Sequence, residues 1–414
     1  MKISLQTLGT RGDVQPFLAL AIGLRNAGHE VSLAASKEYG NWITGHGIHH
    51  VPLLSDITSL LRTPDGKEAV SGRLAFLPKA RLFRSFSDTL PDLLEAQRGA
   101  AAGADAIVFH PKALGGRHIA EAFGIPGFEA LPLPALTPTS AFPTPVAPFE
   151  NLGPLNRFSH RVAASAPEVL FAKAVRRFRN SLGLRPGRCT ARIVQLHAYS
   201  EHVVPRPADF GDEAIICGFW TLGEGADWTP PADLAEFLEA GLAPVYVGFG
   251  SIPSIDPAHV TRMVCAALER TGQRGIISTG GGGLEACAVS DAILCIEEAP
   301  HEWLFPRVAA VVHHGGSGTV AASLCAGKAS VVCPKFGDQP FWARRLQALG
   351  AAPEPLPFRL LSAESLAVRL ETVAAQPEYA RRAGSIGQLL RREDGVARAV
   401  LEIERVLADR SAPR

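Results

Sequence analysis

Net charge is almost absent from this 414-residue chain: 41 Lys and Arg against 40 Asp and Glu leave +1 with histidine neutral. There is no global basic field to draw in nucleic acid or an anionic membrane. The seven cysteines include no C-x-x-C pair. That argues against a zinc or dithiol motif and fits reduced thiols packed as small residues in a cytoplasmic protein. No apolar run reaches the ~18–20 residues of a membrane span. A single lysine precedes the first strand-like run, so no leader is expected. No clustered set of carboxylates demands a metal. The remainder, 47% hydrophobic and 20% charged, is globular in composition and too long for one core. Two domains of roughly 200 residues are expected.

Periodicity points to an α/β architecture. The strand-like run Lys2 to Leu8 is followed by Gly9-Thr10-Arg11-Gly12-Asp13, and Val14, Phe17, Leu18, Ala21 and Ile22 then form a helical stripe. Pro16 is expected in the first turn of that helix, Gly28 at its end, and a strand over Val31 to Ala35. Further strands are predicted at 106–109, 127–130, 214–218, 245–249, 275–278, 292–296, 308–313 and 330–333. Seven prolines crowd residues 131–156, which reads as a long irregular loop, and a basic helical stretch follows over 158–182. Residues 221–231, rich in Gly, Pro and acids, are the candidate linker.

The densest signal is Val311-Val312-His313-His314-Gly315-Gly316-Ser317-Gly318-Thr319. A buried strand, a tight turn and a helix N-terminus are expected in that order. Unpaired N–H groups and the helix dipole make such an end an anion site, most often for phosphate. Gly316, Ser317, Gly318 and Thr319 would present the backbone, and His314 would add a donor.

Six segments in register give a resemblance. They are Gly9-Thr10-Arg11-Gly12-Asp13-Val14-Gln15-Pro16, Thr137-Pro138-Thr139, Val245 to Ser251, Ala299-Pro300-His301-Glu302-Trp303-Leu304-Phe305, the His313–Thr319 loop, and Phe336-Gly337-Asp338-Gln339-Pro340-Phe341-Trp342. The chain resembles the GT-B glycosyltransferases of family 1, in the branch of sterol glucosyltransferases and vancomycin-type antibiotic glycosyltransferases. The resemblance implies two Rossmann-like parallel-sheet domains facing a cleft. Residues 1–220 would bind the acceptor and 232–414 the nucleotide sugar, with the last helix a candidate to cross back to the first domain. It implies an inverting, metal-independent transfer of a sugar, glucose by expectation, from a UDP- or dTDP-sugar to a lipophilic hydroxyl. No separate cofactor is expected.

Roles follow residue by residue. A hydroxyl is a poor nucleophile, so a carboxylate must take its proton. Asp13 matches the family's base and could equally cap the helix after it. Thr10 and Ser251 are diphosphate candidates or turn residues. His314, not His313, matches the phosphate-contacting histidine. Asp338 and Gln339 match the pair that holds the donor sugar, and Asp338 could also cap a helix. His301 and Trp303 fall in the nucleoside region, where core packing is the alternative for Trp303. Phe76, Phe83, Leu136 and Phe142 are candidates for an apolar acceptor pocket, or for core. Ala322 stands where plant relatives hold ribose through a glutamate, so UDP versus dTDP stays open. A dehydrogenase fits poorly, because the first loop is G-x-x-G-D and the second strand ends in Ser36-Lys37 rather than an acid. A non-catalytic partner protein is argued against by Asp13 and Asp338.

Overall fold

Short runs such as Lys2–Gln6, Ala106–Phe109 and Val245–Gly248 are buried at nearly every residue, as strands covered on both faces must be. The computed structural model describes residues 1–53, 76–147, 149–185, 187, 189–225, 228–250, 256–286 and 290–411, without the side chains of 76–82, 410 and 411. Among these, twelve strands form two sheets. The first contains β1 (Lys2–Gln6), β2 (Glu30–Ser36), β3 (His49–Leu53), β4 (Ala106–Phe109), β5 (Gly127–Leu131), β6 (Ile193–His197) and β7 (Ala214–Ile216), in the order β3-β2-β1-β4-β5-β6-β7. The second contains β8 (Val245–Gly248), β9 (Gly275–Ser278), β10 (Ile293–Ile296), β11 (Ala310–His313) and β12 (Ser330–Val332), in the order β10-β9-β8-β11-β12. All the pairings are parallel.

Helices supply the crossovers. They are α1 (Arg11–Asn26), α2 (Gly40–Gly45), α3 (Phe76–Ala100), α4 (Gly116–Phe123), α5 (Asn156–Leu170), α6 (Ala172–Ser181), α7 (Ala232–Glu239), α8 (Pro257–Thr271), α9 (His301–Leu304), α10 (Ser317–Cys325), α11 (Gln339–Ala348), α12 (Ala363–Ala375), α13 (Glu378–Leu390) and α14 (Gly395–Ser411). The two-sheet parallel α/β architecture is the one expected.

Local details differ from expectation. Helix α1 starts at Arg11, three residues before Val14, because Asp13 folds its carboxylate back onto the Thr10 N–H (2.9 Å). Pro16 therefore sits in the second turn and leaves the Gly12 carbonyl without its intrahelical partner. The basic stretch is two helices, α5 and α6, that meet at Phe171. Strands β3 and β6 are additional. Pro52 is tolerated in β3 because that strand is an edge, and β6 hides its apolar period behind Gln195 and His197.

The halves are tied together at two places. Ala399, Val400, Ile403 and Leu407 of α14 pack into the first sheet's core beside Phe17, Leu20 and Leu24 of α1. A side chain at Gly23 would run into Val396, so this approach needs glycine. Tyr199, Val203 and Val204 share a core with Phe341, Trp342 and Leu346, and the Arg345 guanidinium donates to the Val203 carbonyl at 2.7 and 2.9 Å.

Ile403 is fully buried. Ile403→Ala is expected to cost about 2–5 kcal/mol, read as a lower urea midpoint with faster exchange of α1 amides. An unchanged midpoint would show that α14 does not hold the first sheet.

Candidate active site

In each sheet the strand order reverses between two neighbours, β1/β4 and β8/β11. Loops leaving the carboxyl ends of such a pair diverge and open a crevice. At the first, the loop after β1 delivers Thr10 and Asp13, and the loop after β4 delivers His110 and Lys112. The Lys112 ammonium lies 2.6 Å from Asp13 Oδ1 and His110 Nε2 lies 3.6 Å from the same oxygen. Burial alone would raise the Asp13 carboxyl. The Lys112 charge, the His110 ring and the Lys112 and Thr10 hydrogen bonds outweigh it and hold the group below the ordinary value. His110 is driven to about 3 by burial and by Lys112, so it is neutral. Its Nδ1 accepts from the Lys112 N–H (3.1 Å), which leaves the ring proton on Nε2, toward Asp13. Asp13 thus closes the first turn of α1 and also sits, only 16% exposed, among donors.

His110 and Lys112 were not anticipated. The signal was present: His110-Pro111-Lys112 directly follows a buried apolar strand, as Gly9–Asp13 does.

At the second crevice, β11 ends at His313 and α10 begins after Gly316. Among the described residues no side chain caps α10, so its first N–H groups, at Gly316, Ser317, Gly318 and Thr319, point out of the helix with no partner there. His313 is fully buried and its Nδ1 accepts from the Gly315 N–H (3.1 Å), a structural role. His314 is pushed to about 4 by burial, with Lys335 and His301 adding to it. Its ring lies between two glycines: a Cβ on Gly250 or on Gly316 would approach it to 2.6 Å. Ser251 lies outside the described residues. Lys335, which follows β12, is brought down to about 8 by burial. Its ammonium lies 4.2 Å from the Phe358 ring centroid and has no hydrogen-bond acceptor among the described residues.

Asp338 caps nothing with its side chain. It accepts from Trp342 Nε1 (2.9 Å), and burial raises its carboxyl, with the Asp13 charge adding to the effect and Lys112 opposing it. The charge of Asp13 therefore reaches Asp338 across the halves. Gln339 is buried and spends its amide oxygen on the backbone N–H groups of Lys335 (2.8 Å) and Phe336 (3.3 Å), which shapes the loop that carries Asp338. His301 stacks on Phe305 at 4.3 Å and meets the Tyr246 hydroxyl at 3.3 Å. Trp303 packs edge-on to Trp228 (4.9 Å), with Arg307 over its face.

The acceptor candidates do not gather in one place. Phe142 bridges the halves, 5.9 Å from Phe341 and 5.8 Å from His160. Phe83 stacks on Phe171 at 5.1 Å. Leu136 is half-buried in the proline-rich loop. The side chain of Phe76 lies outside the described residues. On the other flank, Arg11 bonds to Glu298 (2.7 Å) and Glu224 (3.1 Å), joining α1, the linker and the second half. Away from the cleft, His118, Glu121 and Cys189 bring donor atoms within 4.8 Å of one another. Arg179 already donates to His118 (3.0 Å) and Glu121 (2.7 Å), so a cation fills that cluster.

Comparison with known proteins agrees with this geometry. Residues 3–143 match the glycosyltransferase family 28 N-terminal domain, and residues 274–395 match the erythromycin biosynthesis protein CIII-like C-terminal domain. Two sterol 3-beta-glucosyltransferases of Arabidopsis thaliana are 36% and 33% identical to the chain, each over 97% of its length. The chain spans 64% of the first, less than two thirds, and 67% of the second. The crystal structure of the kitacinnamycin glycotransferase superposes with a TM-score of 0.72 at 20% identity, covering 98% of this chain and 99% of that one. That likeness establishes a common fold.

Asp13 has a folded-state carboxyl below its unfolded value of about 3.9. Its interactions therefore stabilise the fold above that unfolded value, and the contribution is lost as pH falls through the lower folded one. Lys112→Met leaves burial less opposed, so Asp13 should titrate at higher pH. A carboxyl-carbon NMR titration reads the shift, and an unmoved Asp13 resonance would remove Lys112 as the controlling charge.

Proposed function

Because the chain belongs to the GT-B glycosyltransferases of family 1, we propose that it moves a sugar, glucose by preference, from a UDP- or dTDP-sugar to a hydroxyl of a lipophilic acceptor, with inversion at C1. The observation that carries the reading is the pair of crevices: a buried, ionised Asp13 at one and the uncapped end of α10 at the other.

Asp13 receives the acceptor's proton as the hydroxyl attacks C1. Lys112 keeps it ionised before the acceptor arrives. Being 47% exposed, Lys112 can swing from Oδ1 toward solvent as the hydroxyl takes its place. Loss of that cation raises the basicity of the carboxylate when a base is needed. His110 holds its Nε2–H toward Asp13 and orients it.

The leaving diphosphate gathers charge against Gly316, Ser317, Gly318 and Thr319, whose N–H groups are already aimed. His314, kept neutral by burial, offers one N–H, and Lys335 adds a nearby positive charge. Thr10 and Ser251 complete the diphosphate site in this reading. Asp338 and Gln339 hold the sugar hydroxyls, and His301 and Trp303 border the nucleoside. Leu136, Phe142, Phe83 and Phe76 belong to the acceptor side. No metal or cofactor enters the scheme, since backbone dipoles and these cations meet the leaving charge. A cytoplasmic setting is part of the proposal; it is supported by Cys217 and Cys333, buried thiols that are free rather than paired in disulfides. No helix among the described residues is long and apolar enough to cross a membrane.

A thermal-shift series tests the donor. UDP- or dTDP-sugar at about 100 times its Kd should add roughly 2.7 kcal/mol of stability. A shift with NAD and none with either nucleotide sugar would overturn the reading. Asp13→Asn should keep that nucleotide shift and lose about 10²–10⁴-fold in kcat. Near-full turnover would remove Asp13 as the base.

A further inference from the structure

The near-zero net charge conceals one lopsided surface. Between residues 155 and 182 the chain has six cations, Arg157, Arg161, Lys173, Arg176, Arg177 and Arg179, and one acid, Glu168. Arg179 is buried against Glu121, and Glu168 pairs with Arg117. The other five cations are exposed, and none has an acidic partner among the described residues.

The same stretch is unusually apolar. Phe158, Val162 and Val169 are 59%, 48% and 71% exposed, and Leu155 and Leu170 continue the patch at either end. Positions 158, 162 and 169 fall on one side of α5 at helical spacing. The opposite side is buried and bolted down. His160 lies 2.9 Å from the Ala135 carbonyl and 3.0 Å from that of Phe142, and Asn156 donates to the Ser140 carbonyl (3.0 Å). The orientation of the helix is thus set by its inner face, and the apolar ridge is left outward with Arg157 and Arg161 along its flank.

We propose that this α5–α6 face docks in the plane of an anionic lipid surface, the apolar ridge entering the headgroup layer and the five cations meeting phosphates. An apolar stripe edged by unpaired Lys and Arg, on a helix with no long apolar span, is the pattern of an interfacial helix. Long basic side chains suit it, because their stems cover apolar surface while their charges reach out. The inner face of α5 carries the proline-rich loop, whose Phe142 touches Phe341 at the start of α11. Docking would therefore set the mouth of the first half beside the bilayer, where a lipophilic alcohol is dissolved.

Co-sedimentation with vesicles tests this without any turnover. The parent chain should pellet with phosphatidylcholine vesicles containing about a third phosphatidylserine, and less with pure phosphatidylcholine or at high salt. The pair Phe158→Ser with Val162→Ser should cut pelleting about tenfold at an unchanged melting temperature. Should that pair not fold, Val169→Ser with Leu170→Ser replaces it. Arg157→Gln with Arg161→Gln should weaken only the phosphatidylserine-dependent part. The proposal fails if the parent does not pellet, if pelleting ignores phosphatidylserine, if folded ridge variants pellet like the parent, or if the parent is a dimer that these variants dissociate.

Discussion

Parallel pairing is the constraint on which the rest depends. Since all strands of each sheet run the same way, every strand of a sheet exits at one edge, and the loops that carry chemistry are gathered there. The order reversals at β1/β4 and β8/β11 then choose which loops become neighbours. Gly9–Asp13 meets His110–Lys112 although about a hundred residues separate them, and Gly248–Gly250 meets His313–Gly316. Glycine is obligatory at two of these meetings. Gly9, at φ 131°, has the Asp13 carboxylate where a side chain would go, and Gly250, at φ 71°, has the His314 ring.

That arrangement sets two buried carboxylates apart in character. Asp13 is surrounded by donors and held ionised. Asp338 accepts from Trp342 and from its own backbone N–H, and burial moves it the other way. The Asp13 charge adds to the rise at Asp338, and Lys112 opposes it at both. A pair of like groups pushed in opposite directions is a division of labour: one carboxylate suited to receive a proton, the other to hold a hydroxyl. An anion entering between the halves meets positive potential from both sides, from Lys112 on the first and from Lys335 and the α10 dipole on the second.

Much of this was legible in the sequence because backbone needs dictate residue types. A strand, a tight turn and a helix end written as Val-Val-His-His-Gly-Gly-Ser-Gly-Thr can hardly be read otherwise, and α10 begins at Ser317 as that pattern requires. The six segments carried the fold because five stand at the ends of β1, β8 and β11, at the start of α9 and around the start of α11, and the sixth, Thr137-Pro138-Thr139, lies in the loop after β5. Other features were hidden by the same logic. Pro52 disguises β3, since a strand tolerates proline only where, as here, it lies at the sheet edge. His110 and Lys112 are two polar residues in an unremarkable turn, and only the β1/β4 adjacency gives them meaning. The start of α1 was misplaced because Gly12 and Asp13 read as loop, whereas the carboxylate of Asp13 is what closes the first turn.

The two sides of the cleft differ in legibility for a physical reason. A helix end that can meet an anion does so with N–H groups that any sequence possesses, so its signature is glycines and caps whose spacing is short and local. A wall built on α3, α5, α6 and the proline-rich loop would instead draw its side chains together by long-range packing. The same aromatic can serve as wall or as core: Phe83 lies on Phe171 and Phe142 on Phe341, and no local pattern separates the two uses. Net charge fails in the same way, since a sum near zero is compatible with five exposed cations on α5 and α6 that have no acidic partner among the described residues. Apolar and charged surfaces of the first half therefore have to be read from burial and pairing, after the fold is known, while the strand–turn–helix end at His313–Thr319 can be read from spacing.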